Sequence, residues 1–110
     1  MAGLSKFSDI KEKARTAVHQ SIEEVLQKEQ YAPAQVQEWM DNIAKKSIEE
    51  LSKLSSYFKY TATCFVVQKV GAGAHVTAAS LWDPEQDGYI TARWENQSML
   101  CYVVAFACAL

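Results

Sequence analysis

The hydrophobic period of this chain changes at Lys59, and that change constrains the fold more than any other feature. Before Lys59, two segments place apolar residues three and four positions apart, as amphipathic helices do. After Lys59, apolar and β-branched residues alternate or run together over lengths typical of strands. The sequence therefore predicts two helices followed by a sheet.

The first helix is predicted to begin near Ser8, which leaves residues 1–7 as a flexible N-terminal arm and residues 8–110 as a single domain. Pro33 suits the first turn of the second helix. The second stripe is too short for a coiled coil, so covering a sheet is the favoured use of both helices. The first stripe contains Ile10, Ala14, Ala17, Val18, Ser21, Ile22 and Val25, and the second contains Val36, Trp39, Met40, Ile43, Ser47, Ile48, Leu51 and Leu54.

Four strands are predicted after the helices. The first begins at Lys59 and ends before residues 71–73, a Gly-Ala-Gly turn. The others run from about His75 to Trp82, from Tyr89 to Trp94 and from Ser98 to about Cys108, with turns between them. Short connections favour antiparallel pairing. The predicted fold is α+β, with two N-terminal helices packed on a four-stranded antiparallel sheet.

The last predicted strand is apolar on both of its faces. A sheet covered on one side should alternate apolar and polar residues, and two helices can cover one side of four strands. We therefore expect the second face to be hidden by another molecule, for which a second copy is the simplest candidate. One face carries Met99, Cys101, Val103 and Ala105, and the other carries Leu100, Tyr102, Val104 and Phe106.

Charge and composition exclude some partners. The net charge of −2 provides no basic surface for nucleic acid. Residues 60–110 hold two of the 11 basic and four of the 13 acidic side chains, so this half is predicted to be largely buried. No apolar run approaches the ~20 residues needed to span a membrane. The N-terminal residues lack the apolar core of a signal peptide, and three cysteines, an odd number, favour a reducing compartment, so we expect a soluble cytosolic protein.

No motif points to an enzyme or to a bound cofactor. The Gly-Ala-Gly turn lacks the Gly-Lys-Ser/Thr of a phosphate-binding loop. The acidic turn at residues 83–87 lacks the length and final Glu of a calcium loop. The tryptophans Trp39, Trp82 and Trp94 could stack on bases, but without a basic surface core and interface packing is favoured.

The cysteines and histidines do not have the spacing of metal ligands. All three cysteines lie in apolar strands, where a free thiol usually packs as a small apolar side chain. Core packing is therefore the favoured role of Cys64, Cys101 and Cys108, and a thiol catalyst or a metal site is the alternative. His19 and His75 share no metal-ligand spacing, and His75 at a strand start favours a hydrogen-bonded structural role.

Between Tyr31 and Cys101 the chain carries an ordered set of short motifs. They are Tyr31, Val36 and Trp39, then Phe58-Lys59-Tyr60, Thr63-Cys64, Gln68-Lys69, Gly71-Ala72-Gly73, His75, Trp82-Asp83, Asp87-Gly88, Arg93-Trp94-Glu95-Asn96, Met99 and Cys101. In this order they resemble the Tctex-type dynein light chains, over about residues 20–106. The resemblance implies a dimer in which the second strand is exchanged between subunits, and a non-catalytic accessory of a dynein motor.

The family resemblance also implies a partner, the dynein intermediate chain, and a place for it. Exchanged strands leave exposed edges that can accept a further strand. We expect the intermediate chain to add to the second strand, and the dimer to pair either two identical chains or this chain with another Tctex-type light chain. The expected groove comprises Ala74, His75, Val76, Thr77, Ala78, Ala79, Ser80, Leu81 and Trp82.

Some residues depart from the family pattern. Val70 replaces an expected Asn, residues 83–86 replace a Ser/Thr-rich turn, and residues 106–110 form an uncommon ending. They leave cytoplasmic and axonemal dynein both open, with the cytoplasm, the cytoskeleton and the ciliary axoneme as the corresponding locations. A dynein-independent adaptor of the same fold is the alternative function, and a small thiol or metal enzyme is a remote one.

Overall fold

A computed structural model describes residues 7–69 and 88–109. Within these residues the chain forms two helices and three strands, which confirms the α+β prediction. The predicted strand from His75 to Trp82 lies outside the described residues, and so do the fourth position in the sheet and its exchange. The elements are α1 (Phe7–Leu26), a 3₁₀ turn (Pro33–Gln35), α2 (Val36–Leu54), β1 (Phe58–Gln68), β2 (Tyr89–Glu95) and β3 (Met99–Ala109).

The three strands form one antiparallel sheet in the order β1-β3-β2. Strands β2 and β3 are joined by the short turn at residues 96–98, as their spacing predicts. Strand β1 pairs with β3, so that Cys64 lies opposite Val103 and Phe65 lies opposite Tyr102. The antiparallel prediction is confirmed for both pairs, and β3 is the central strand of the described sheet.

Both helices pack on the same face of the sheet, with α1 mainly over β2 and α2 over β1. The predicted stripe of α2 is confirmed, since Trp39, Ile43, Ser47 and Leu51 are buried. Pro33 lies in the 3₁₀ turn that leads into α2, again as predicted.

The first helix includes one residue that the prediction assigned to the flexible arm. Phe7 is helical and buried, and its ring contacts that of Phe58 edge-on, with 5.9 Å between the ring centres. Burial of this aromatic ring against the first residue of β1 extends α1 by one residue before the predicted start at Ser8. Residues 1–6 of the expected arm lie outside the described residues.

The helix-covered face of the sheet is apolar along all three strands. It carries the even-numbered residues of β1 and β2 and the odd-numbered residues of β3. Trp94 packs against this core, which together with buried Trp39 confirms the packing role predicted for these two rings; Trp82 lies outside the described residues. The fully buried members on the strands include Ile90, Met99, Cys101 and Val103.

One buried polar atom in α2 gives a prediction about stability. The Ser47 hydroxyl is completely buried and has no hydrogen-bond partner among the described residues. An unpaired buried hydroxyl costs about 1–3 kcal/mol. Ser47→Ala is therefore expected to raise the free energy of unfolding by about 1 kcal/mol, measured by urea unfolding at a fixed protein concentration.

The matched control is Ser52→Ala, also in α2. Ser52 is exposed, and its hydroxyl donates to the Ile48 carbonyl at 2.8 Å. Both substitutions make the same change in helix propensity, so the difference between them measures the effect of the buried hydroxyl. Equal effects, or a loss of stability in Ser47→Ala alone, would contradict this interpretation.

Candidate partner-binding surface

The candidate site is the sheet face that the helices leave uncovered, hereafter the outer face. The strand register places on it the odd-numbered residues of β1 and β2 and the even-numbered residues of β3. The structure thus confirms that the last strand carries apolar residues on both of its faces. The apolar and aromatic members of this face are Phe65, Val67, Tyr89, Leu100, Tyr102, Val104 and Phe106.

Two large apolar side chains of the outer face are exposed. Phe65 is 39% exposed and Phe106 is 46% exposed. The Phe106 ring lies 5.2 Å from that of Tyr89, which faces it across the β2–β3 pair. Exposed aromatic residues in one contiguous surface are typical of protein interfaces. In the described part of the chain, this is the surface best suited to a partner.

The opposite end of the outer face carries charge. Lys69 Nζ and Glu95 Oε2 are 2.7 Å apart, and Arg93 Nη2 is 3.4 Å from Glu95 Oε1. Lys69 follows β1 and Glu95 ends β2, so this ion pair spans the central strand β3. Nearby, Leu100 and Tyr102 are buried, with Val67 packed against them. The outer face therefore has an ionic end and an open aromatic end.

The turn between β2 and β3 is organised by Asn96. Its side-chain oxygen accepts hydrogen bonds from the backbone N–H groups of Ser98 (2.8 Å) and Met99 (2.9 Å) and from the Ser98 hydroxyl (3.1 Å). Its side-chain nitrogen donates to the Glu29 carbonyl at 2.8 Å, and the Tyr31 N–H donates to the Ser98 hydroxyl at 2.9 Å. This turn thus fastens the β2–β3 hairpin to the segment that connects the two helices.

The cysteines divide into two groups. Cys64 and Cys101 are buried on the helix-covered face, as predicted, and their Sγ atoms are 3.6 Å apart. The hydrogen bond to Cys64, followed by burial, raises the pKa of the Cys101 thiol far above its ordinary value. The prediction of core packing is wrong for Cys108, which is exposed. Cys108 lies on the outer face opposite Lys59, near the end of β3, where the helices do not cover it.

The residues predicted to form the partner groove, 74–82, lie outside the described residues, and His75 is one of them. Within residues 7–69 and 88–109, no group of three or more His, Cys, Asp or Glu side chains could hold a metal ion. In the same part of the chain, no helix is long and apolar enough to cross a membrane. The site that the structure does describe is therefore the outer face and its Asn96 turn.

A model of the Tctex-1 family matches residues 9–108, which is most of the chain. The chain belongs to the Tctex-1 family. The resemblance inferred from its short motifs is thereby confirmed.

Curated relatives of this Tctex-1 family chain are similar over nearly their full length. A Dictyostelium discoideum protein named "Dynein light chain Tctex-type" is 36% identical over 100 residues, which cover 90% of each chain. The human "Dynein light chain Tctex-type 3" is 38% identical over 99 residues, covering 90% of this chain and 85% of the human one. The family match at residues 9–108 covers all of α2 and nearly all of α1 and the described sheet.

The functional role of Asn96 was not apparent from the sequence. The Arg93-Trp94-Glu95-Asn96 motif contributed to the family resemblance, and the structure gives its four residues different roles. Arg93 and Glu95 belong to the ionic end of the outer face, Trp94 packs in the core, and Asn96 holds the turn. An Asn at a strand end is a signal for a turn, but its bond to Glu29 spans 67 positions and has no local signature.

Proposed function

We propose that this chain is a non-catalytic accessory light chain of a dynein motor, that it forms a dimer, and that it binds the dynein intermediate chain by strand addition. The observation that carries the proposal is the Tctex-1 family match over residues 9–108, together with relatives named as dynein light chains. As an accessory chain it would support assembly of the motor or attachment of cargo.

The outer face supports the dimer part of the proposal. Four of its seven apolar and aromatic side chains lie on β3, two on β1 and one on β2, and two of its aromatic rings are substantially exposed. Obligate dimer interfaces commonly bury more than about 2,000 Å² and resemble a core cut in half. A second copy placed against the outer face would remove these rings from water. The same surface could equally pair with another Tctex-type light chain of similar outer face.

Strand addition is supported by the sheet edges. Among the described strands, β3 is paired on both sides, whereas β1 and β2 each have one described neighbour. An open edge offers backbone N–H and C=O groups to a further strand. The proposed acceptor is the segment 74–82, exchanged between subunits, where an extended intermediate-chain segment would gain affinity from backbone bonds and specificity from alternate side chains.

The proposal places the chain in the cytoplasm and on the microtubule cytoskeleton, and in the ciliary axoneme if its motor is an outer-arm dynein. Two equivalent grooves in the dimer would bind a paired intermediate chain with increased avidity. A light chain of the motor would bind the dynein intermediate chain, whereas a dynein-independent adaptor of the same fold would not. Measuring this binding, as described next, therefore distinguishes the two functions.

Thr77→Lys and Ser80→Lys are expected to weaken binding of a dynein intermediate-chain fragment by at least about tenfold, because each places a long charged side chain in the proposed groove. Calorimetric titration would measure the dissociation constants, after sedimentation has shown that each variant retains the dimer of the parent protein. The matched control is Asn42→Lys, which adds the same charge on the exposed face of α2. If both groove variants bind as tightly as this control, the groove lies elsewhere.

A further inference from the structure

Two thiols lie in contact behind the outer face. Cys64 Sγ and Cys101 Sγ are 3.6 Å apart, on neighbouring strands β1 and β3. Cys64 is 7% exposed and Cys101 is fully buried. The two residues are diagonal neighbours in the sheet, because Cys64 lies opposite Val103 and Cys101 lies opposite Val66.

This pair is connected to the outer face through the backbone. Phe65 follows Cys64 along β1, and Tyr102 follows Cys101 along β3. Phe65 and Tyr102 lie directly opposite each other on the outer face. Because successive side chains of a strand point to opposite faces, a shift of the backbone at the two thiols must also shift this aromatic pair.

A bond between the two thiols would require such a shift. Diagonal neighbours in an antiparallel pair have Cα atoms about 7–8 Å apart. A relaxed disulfide needs Cα atoms about 4.4–6.8 Å apart. The sulfur atoms are close enough to react after a small movement, but the resulting bond would draw the two backbones together and distort the regular pairing of β1 and β3 at this point.

We propose that Cys64 and Cys101 form a redox-modification site, in which a peroxide converts the two thiols to a disulfide and the bond weakens pairing of subunits through the outer face. The effect on subunit pairing rests on the proposed dimer. Formation of the disulfide depends on the thiol pair alone.

The reaction balances with one peroxide molecule. The sulfur of Cys64 attacks one peroxide oxygen, the O–O bond breaks, and a sulfenic acid and one water are formed. The sulfur of Cys101 then attacks the sulfenic sulfur, and the S–S bond forms as a second water leaves. Both thiol protons end in the two waters, the sulfurs are oxidised and the peroxide is reduced.

The burial of the two thiols indicates the order in which they react. Cys64 is the more exposed of the pair, so the peroxide reaches it first. Cys101 lies 3.6 Å from Cys64 and is therefore the thiol placed to resolve the sulfenic acid. The attacking form is the thiolate, and the hydrogen bond to Cys64 and burial raise the pKa of Cys101, so this second step is slow. Burial of both sulfurs requires local opening before attack, which makes the reaction slower than oxidation of exposed Cys108.

The test uses the full chain carrying Cys108→Ser, so that no other thiol can react. The protein is incubated with hydrogen peroxide, the remaining thiols are alkylated, and the products are identified by intact mass and by peptide mapping. We expect loss of two hydrogen atoms and a peptide linking Cys64 to Cys101. The control, Cys64→Ser combined with Cys108→Ser, cannot form this bond and also reports peroxide damage elsewhere.

The dimer is then compared before and after oxidation by sedimentation of the same Cys108→Ser protein. We expect the dissociation constant to rise by at least about tenfold on oxidation and to recover on reduction with dithiothreitol, while the control is unchanged. The redox site is overturned if both thiols can still be alkylated after the oxidised protein is unfolded, or if Cys64 becomes a sulfinic acid while Cys101 stays free.

The sedimentation results separate this inference from the proposed function. A disulfide that forms while the dimer is unaffected overturns the coupling to the outer face and leaves the proposed function standing. A reduced protein that is already a monomer contradicts the proposed dimer and the coupling together, and peptide mapping then still decides whether the redox site exists.

Discussion

Phe106→Glu is expected to convert the proposed dimer into monomers at low micromolar concentration. Phe106 is 46% exposed at the open aromatic end of the outer face, and its ring stacks beside that of Tyr89. In a dimer closed by this face the new carboxylate would be removed from water, once in each subunit, at a cost in free energy. Aromatic anchors of interfaces typically contribute about 2–4 kcal/mol, which corresponds to a roughly 30- to 1,000-fold weaker dimer.

The matched control for this substitution is Phe106→Leu, which keeps the side chain apolar. It should retain the dimer with at most a small loss of affinity. Because Phe106 is exposed in the single chain, Phe106→Glu should leave the helical circular-dichroism signal of the monomer intact. A Phe106→Glu variant that sediments as a dimer like the parent would show that the outer face is not the subunit interface.

Asn96→Ala is expected to lower the free energy of unfolding by about 2–4 kcal/mol. The substitution removes four hydrogen bonds, three accepted from Ser98 and Met99 and one donated to Glu29. These bonds form the turn between β2 and β3 and attach it to the segment between the helices. The loss would be measured by urea unfolding at fixed protein concentration, since the proposed subunit association would also contribute to apparent stability.

Two further variants show which hydrogen bonds of Asn96 account for the loss of stability. Asn96→Asp keeps the acceptor oxygens and loses the donor to Glu29, so it should lose less stability than Asn96→Ala. Gln97→Ala changes the exposed neighbouring residue of the same turn and should change stability by no more than about 0.5 kcal/mol. If Asn96→Ala behaves like Gln97→Ala, the hydrogen bonds of Asn96 do not hold the turn.

Hydrophobic period predicted the faces of the elements because burial acts on one side of a helix or strand. It placed Ile43 and Leu51 in the core and divided the last strand correctly into two apolar sets. The hydrophobic period could not predict how much of each face of the sheet the helices cover. Cys108 is apolar in sequence context, yet it is exposed, near the end of β3 on the face that the helices do not reach.

Contacts between distant parts of the chain were the least predictable. Short connections correctly indicated antiparallel strands, but the pairing of β1 with β3 joins residues about 30–50 positions apart and has no local signal. The bond from Asn96 to Glu29 and the contact between Cys64 and Cys101 are of the same kind. The proposed groove at residues 74–82 still depends on the family resemblance.

The proposed function is tested most directly by sedimentation velocity of this chain alone and mixed with a purified dynein intermediate chain. The chain alone is expected to sediment as a dimer, and the mixture to form a faster complex containing two copies of this chain and two intermediate chains. A folded chain that sediments separately from the intermediate chain, at micromolar concentrations of both, would contradict the proposed function.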